Sequence, residues 1–167
     1  MIEKTGVPTP EDLARVFPPK ERLQKGPVAV VECFQRIPCN PCYTACKRRA
    51  IQEFKDINDL PKIDFEICNG CGLCISKCPG LAVFIVDETY SEKEALIKLP
   101  FEFLPLPEKG EEVDALNRKG EVMGKAEVVK VQNGRYEDKT PVIFILVPKK
   151  LSMEVRNIRL RRNSYEQ

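Results

Sequence analysis

Eight cysteines, all between positions 33 and 78 of a 167-residue chain, are the residues whose type and spacing could do chemistry. Four form an unbroken run, Cys68-x2-Cys71-x2-Cys74-x3-Cys78, with Pro79 directly behind it. Thiolates are soft donors that select zinc or iron–sulfur clusters. Two-residue spacers followed by a three-residue one wrap a chain around a cubane of iron and sulfide. Gly70 and Gly72 lie inside the run, where a missing Cβ lets backbone amides approach the sulfides. Pro79 turns the chain away after the last thiol. The other four, Cys33-x5-Cys39-x2-Cys42-x3-Cys46, keep the same steps among the last three, but the first is displaced and Lys47 follows the last.

Other uses of these thiols stay open on spacing alone. Cys39 and Cys42 with Cys68 and Cys71 have the paired pattern of a four-thiolate zinc site, which leaves Cys33, Cys46, Cys74 and Cys78 to make a second. Clusters with a purely structural role, or a disulfide framework, would also consume them. No apolar stretch separates a basic start from a cleavage site in Met1–Phe17, so no signal peptide is expected and the expected placement is cytoplasmic. Thiols stay reduced there, which favours metal over disulfides. The longest apolar runs, 81–86 and 142–147, are six residues each, against about 20 for a membrane-spanning helix, so no membrane span is expected.

The composition excludes more. With no histidine, Ser-His-Asp and Cys-His machinery and imidazole zinc sites are ruled out. A net charge of +2 exerts no global pull on nucleic acid or anionic lipid. Neither a dinucleotide fingerprint nor a glycine-rich phosphate loop is present. No catalytic residue is assigned, so the chain is not expected to be an enzyme by itself and the chemistry falls to another chain.

On its two cysteine runs, the segment 28–90 resembles the two-cluster 4Fe–4S ferredoxin family. The resemblance implies two 4Fe–4S clusters with crossed ligands: Cys33, Cys39, Cys42 and Cys78 for one, and Cys46, Cys68, Cys71 and Cys74 for the other. The phrases Ile37-Pro38-Cys39-Asn40-Pro41-Cys42, Cys78-Pro79-Gly80-Leu81-Ala82 and Glu154-Val155-Arg156-Asn157-Ile158-Arg159 are similar to something narrower. They look like the ferredoxin-like small subunits of multi-subunit FAD dehydrogenases that oxidise proline, hydroxyproline or glycerol 3-phosphate. That likeness implies a hetero-oligomer in which this subunit relays single electrons between flavin centres. Its partners would be a flavoprotein dehydrogenase subunit and an NADH-oxidase-like flavoprotein. The competing function is a zinc-structured binding module whose basic β domain contacts nucleic acid or a protein partner. No aromatic residue interleaves with the basic tail before Tyr165, so no nucleic-acid partner is expected.

Three segments must position these groups. Residues 1–27 form an extension in which Thr9-Pro10-Glu11-Asp12 starts a helix and Pro18-Pro19 stops it. That helix packs on its own domain or docks on a partner. Residues 28–90 read as strand, cysteine loop, short helix (43–49) and strand (50–54), then strand (62–67), cysteine loop and strand (82–86), an internal duplication. Residues 91–167 alternate with period two through Ala95, Ile97, Leu99, Phe101 and Phe103. Strands follow over 111–117, 121–132, 142–147 and 157–160, with one or two helical turns within 149–156. Lys149, Lys150, Arg156, Arg159, Arg161 and Arg162 make the tail basic, opposed by Glu154 and Glu166. The expected fold class is α+β: a ferredoxin-like two-cluster domain followed by a small antiparallel β-barrel or sandwich domain.

Overall fold

A computed structural model describes residues 2–135, 137 and 139–161. The period-two stretch becomes a strand through Ala95, Ile97 and Leu99 but ends at Pro100, before Phe101 and Phe103, and Phe103 is exposed. β1 (Val28–Val31), β2 (Val83–Asp87), β3 (Glu94–Pro100), β4 (Glu112–Leu116), β5 (Val122–Gln132), β6 (Val142–Pro148) and β7 (Asn157–Leu160) pair antiparallel in one seven-stranded sheet, ordered β1-β2-β3-β6-β5-β4-β7. β1, and β2 up to its last residue Asp87, are apolar because both of their faces are covered: Ala29, Val31, Val83 and Ile85 on one side, Val28, Val30 and Val86 on the other. β3, β4 and β7 alternate, while β6 is apolar on both faces. Ile97, Leu99, Val113, Ala115, Ala126, Val128, Ile143, Ile145 and Ile158 form the larger core, while polar neighbours face outward.

The separate barrel or sandwich does not form. β3 bonds directly to β2, with Val86 opposite Ile97 and Ile85 opposite Lys98, so strands on both sides of residue 90 share one open sheet. Bulges at Ala115/Leu116 and Val128/Lys130 increase its twist. Phe84 of β2 and Leu160 of β7 consequently meet in one core. The edge strands β1 and β7 do not pair. Side chains span the gap instead: Glu32, directly after β1, accepts from Arg118 at 2.7 Å and from Arg156 at 2.6 Å, all three side chains being under 10% exposed. The Arg156 guanidinium also lies 5.0 Å from the Phe84 ring. Alternation records which face of a strand is buried but not which edge it joins, and for that reason the closure was misread.

Three smaller expectations also shift. The helix expected over 43–49 is α4 (Pro41–Ala45), starting earlier because Pro41 suits a first helical position. The strands expected over 50–54 and 62–67 reduce to a single bridge, Ile51 to Ile63. The second cysteine run is a series of turns with no helix, because Gly70 and Gly72 hold positive φ, so the two halves are not equivalent. The tail is less basic than its sequence suggests. Arg159 pairs with Asp114 at 2.9 Å, Arg161 pairs with Glu112, and Arg156 is held by Glu32. Arg162, Tyr165 and Glu166 lie outside the described residues.

The N-terminal segment forms α1 (Ile2–Thr5), α2 (Pro10–Val16) and α3 (Lys20–Leu23). Thr9 caps α2 reciprocally: its hydroxyl accepts from the Asp12 N–H at 3.2 Å, and the Asp12 carboxylate accepts from the Thr9 N–H at 3.0 Å. Phe17 and Leu23 pack on Val28, Val30 and Val86, covering the face of β1 and β2 opposite the cysteines. No helix among the described residues is long and apolar enough to cross a membrane.

Candidate functional site

The cysteine loops lie on the face of β1 and β2 made by Ala29, Val31, Val83 and Ile85. All eight cysteines are free thiols, and they divide between two cavities. One is lined by Cys46, Cys68, Cys71 and Cys74, the other by Cys33, Cys39, Cys42 and Cys78. The pleat sets their spacing. The cross-strand pair Ala29–Ile85 floors the first cavity and the pair Val31–Val83 floors the second. Residues two apart on one face of a strand stand about 7 Å apart, so the cavities are neighbours. They hold about 370 and 380 Å³, partly open to solvent.

Backbone amides already point at sulfur. Ala29 N–H donates to Cys68 Sγ at 3.4 Å, Ile51 N–H to Cys46 Sγ at 3.5 Å, and Ala82 N–H to Cys78 Sγ at 3.4 Å. Gly70 has φ of 63°, and a Cβ there would stand 2.5 Å from Pro27 Cβ and 2.6 Å from the Pro27 carbonyl carbon. Only glycine lets the Cys68–Cys71 turn lie this close to the start of β1.

Two side chains that sequence reasoning missed hold this turn. Arg22 of α3 is buried and donates to four carbonyls: Phe65 at 2.6 Å, Gly26 at 2.9 Å, Pro27 at 3.0 Å and Cys68 at 2.6 Å. Lys98 of β3 donates from Nζ to the Gly70 carbonyl at 2.9 Å. Neither had a readable signal, because the acceptors are backbone oxygens distant in sequence.

The cavities are poor places for uncompensated thiolates. Burial pushes the Cys74 thiol up to about 12, helped by Cys68, Cys71 and Cys46. Burial likewise pushes Cys42 up to about 11, with Cys78, Cys33 and Cys39 adding to it. Cys33 and Cys39 are raised by burial and then by Cys78. Cys33, Cys39, Cys42 and Cys74 are thus each disfavoured as thiolates by members of their own cavity. Ionising four sulfurs together requires a cationic centre among them. No three Cys, Asp or Glu groups among the described residues converge closely enough for a single metal ion. Four thiols around a space, with no carboxylate among their near neighbours in the first cavity, fit the donor set of an iron–sulfur cluster.

Comparison with known proteins agrees with that chemistry over part of the chain. Residues 61–84, which contain Cys68, Cys71, Cys74 and Cys78, match the 4Fe-4S binding domain family. The chain is 42% identical over 52 residues to pyruvate synthase subunit PorD of Methanocaldococcus jannaschii, covering 31% of this chain and 58% of that one. It is 34% identical over 59 residues to the ferredoxin-type protein NapF of Haemophilus influenzae, covering 34% of each. The chain thus spans little more than half of the first relative and about a third of the second. No solved structure matches. The chain carries an iron–sulfur binding region of ferredoxin type.

Proposed function

We propose that this chain is the electron-transfer subunit of an oxidoreductase complex, holding two 4Fe–4S clusters and relaying single electrons between flavin centres of a multi-subunit dehydrogenase. The ligand sets are Cys33, Cys39, Cys42 and Cys78 for one cluster, and Cys46, Cys68, Cys71 and Cys74 for the other. The observation that carries this reading is the division of the eight thiols, four and four, between two adjacent cavities. When bound, such clusters accept and release one electron at a time. The chain's own residues supply the remainder. Cysteines hold, backbone N–H groups donate to their sulfurs, and Ile51, Ile75 and Ile85 exclude water from the cavity of Cys74. Cross-strand pairs one pleat apart keep the two sites close enough for an electron to pass between them.

A subunit role is supported by one relative, itself a pyruvate synthase subunit. The flavoprotein partners rest on the resemblance of the 37–42, 78–82 and 154–159 phrases to small subunits of FAD dehydrogenases. Iron, acid-labile sulfide and zinc are to be measured on protein purified without oxygen. About eight iron and eight sulfide per chain are expected, with roughly half of each lost in Cys74→Ser. Unchanged iron in that variant sinks the ligand assignment. Zinc at about two per chain without sulfide replaces the whole reading with a zinc-structured module.

A further inference from the structure

Beside the first thiol cavity lies a third and much larger depression, with about 1190 Å³ of space partly open to solvent. Cys71, Gly72 and Leu73 line both, so they form the wall between them. From the structure we infer that this groove is the docking surface for an acidic face of a protein partner, which it brings against the edge of the Cys46, Cys68, Cys71 and Cys74 site. The inference rests on the electron-transfer reading and adds to it the port and the charge of the partner.

Charge is the first reason. Among the described residues lining the groove, four are cations, Lys47, Lys77, Lys98 and Arg135, and one is a carboxylate, Glu137. That carboxylate is already engaged, accepting from Gln132 Nε2 at 2.5 Å and the Gly134 N–H at 2.7 Å. A fifth cation, Lys130, reaches over the Phe144 ring of the groove floor with Nζ 4.9 Å from its centroid, and Lys98 lies 5.3 Å from the same ring. The chain as a whole is almost neutral, at +2, so this is a local concentration. Several cations elsewhere pair with carboxylates, among them Lys25 with Glu66, Arg36 with Asp59 and Arg159 with Asp114. Arg36 and Asp59 stand beside the other cavity, so the two thiol sites differ in the field around them.

The shape of the patch is the second reason. Leu73 is 44% exposed on the groove wall and Cys71 is exposed beside it, so exposed apolar surface adjoins the cations. Protein interfaces have that anatomy, and complementary charge steers encounter and fixes orientation. A mouth this wide does not enclose a small anion, which favours a macromolecular occupant. Among the described residues lining the groove, the aromatic ring is that of Phe144, and it already lies under two ammonium groups, so these residues offer no free ring for base stacking.

The test uses full-length protein whose iron and sulfide have been measured. A fluorescein-labelled, glutamate-rich peptide serves as probe, followed by polarisation as salt is raised from about 20 to about 200 mM. Binding is expected at low salt and about tenfold weaker at high salt. In Lys130→Glu/Arg135→Glu it weakens by about tenfold or more, while Arg36→Glu at the other cavity changes it little. Equal binding by the double variant and the wild type overturns the proposal, as does an equal loss in Arg36→Glu. Tighter binding of a single-stranded oligonucleotide of matched charge reassigns the groove to nucleic acid. Displacement of the peptide by millimolar inorganic phosphate reassigns it to a small anion. Absence of iron and sulfide defeats the electron-transfer reading separately, whatever the peptide does.

Discussion

Pro27 leaves no room for a side chain at Gly70. The positive φ alone would cost an alanine there about 1–2 kcal/mol, and the contact with Pro27 backbone atoms below 3 Å cannot be relieved by a rotamer change. Gly70→Ala therefore forces the Cys68–Cys71 turn away from β1 and opens the first cavity. A matched control is Gly110→Ala, whose φ is 86° but whose Cβ would meet nothing within 4 Å. Both variants are expected to melt lower, but only Gly70→Ala is expected to lose iron. Equal iron content in the two would mean that the close approach at Pro27 has no bearing on the site. The Gly70 requirement was partly legible, since a glycine inside a cysteine run signals close backbone approach. Its partner was not, because Pro27 lies 43 residues earlier and carries no mark of the contact.

At the scale of elements, the extension is part of the site's support. α3 has only four residues and would not persist alone in water. It is held because Leu23 is buried and Arg22 satisfies four carbonyls from two separate stretches of chain, 26–27 and 65–68. Removing the guanidinium leaves buried acceptors without donors, at a cost on the order of 3 kcal/mol or more. A lysine offers three donors for four acceptors and no planar fork. Arg22→Lys is thus expected to keep the fold but release iron faster to a chelator than wild type does, and Arg22→Ala faster still. Identical release rates in all three would place Arg22 outside the support of the Cys68 turn. Elements with a local cause were readable in advance: the start of α2 from Thr9-Pro10-Glu11-Asp12 and the strand over 157–160. What escaped was long-range, namely β3 joining β2, Arg22 reaching Cys68, and Lys98 reaching Gly70. Each is fixed by backbone partners that have no sequence signature of their own.

Across the whole molecule, the open sheet raises the question of what keeps its two ends together. β1 carries the floor of both thiol cavities, yet one of its edges has no strand partner among the described residues. Glu32 stands at its end and ties it to Arg118 and Arg156 across the core. Burial works to raise the Glu32 carboxyl, but the hydrogen bond from Arg118 and the charges of Arg156 and Arg118 outweigh it and hold it below the usual range. Burial pulls Arg156 down to about 10 against the opposing effect of Glu32. The three groups are therefore stable only together. Glu32→Gln leaves two buried guanidinium groups facing a neutral amide, and losing one member of such a cluster typically costs about 3–5 kcal/mol. Replacing all three, as Glu32→Leu/Arg118→Leu/Arg156→Met, removes the charges along with the desolvation they suffer and is expected to be much less damaging. The check is the urea midpoint, followed anaerobically by far-ultraviolet ellipticity, with iron absorbance recorded in parallel. If the ion cluster is what joins the sheet ends, Glu32→Gln shifts the midpoint down strongly, and ellipticity and iron are lost together because the floor of both cavities moves with β1. An unfolding free energy within about 0.5 kcal/mol of wild type, the range of an ordinary surface substitution, would mean that the shared core of Phe84 and Leu160 holds the sheet curled by itself and that the charges only fill the gap.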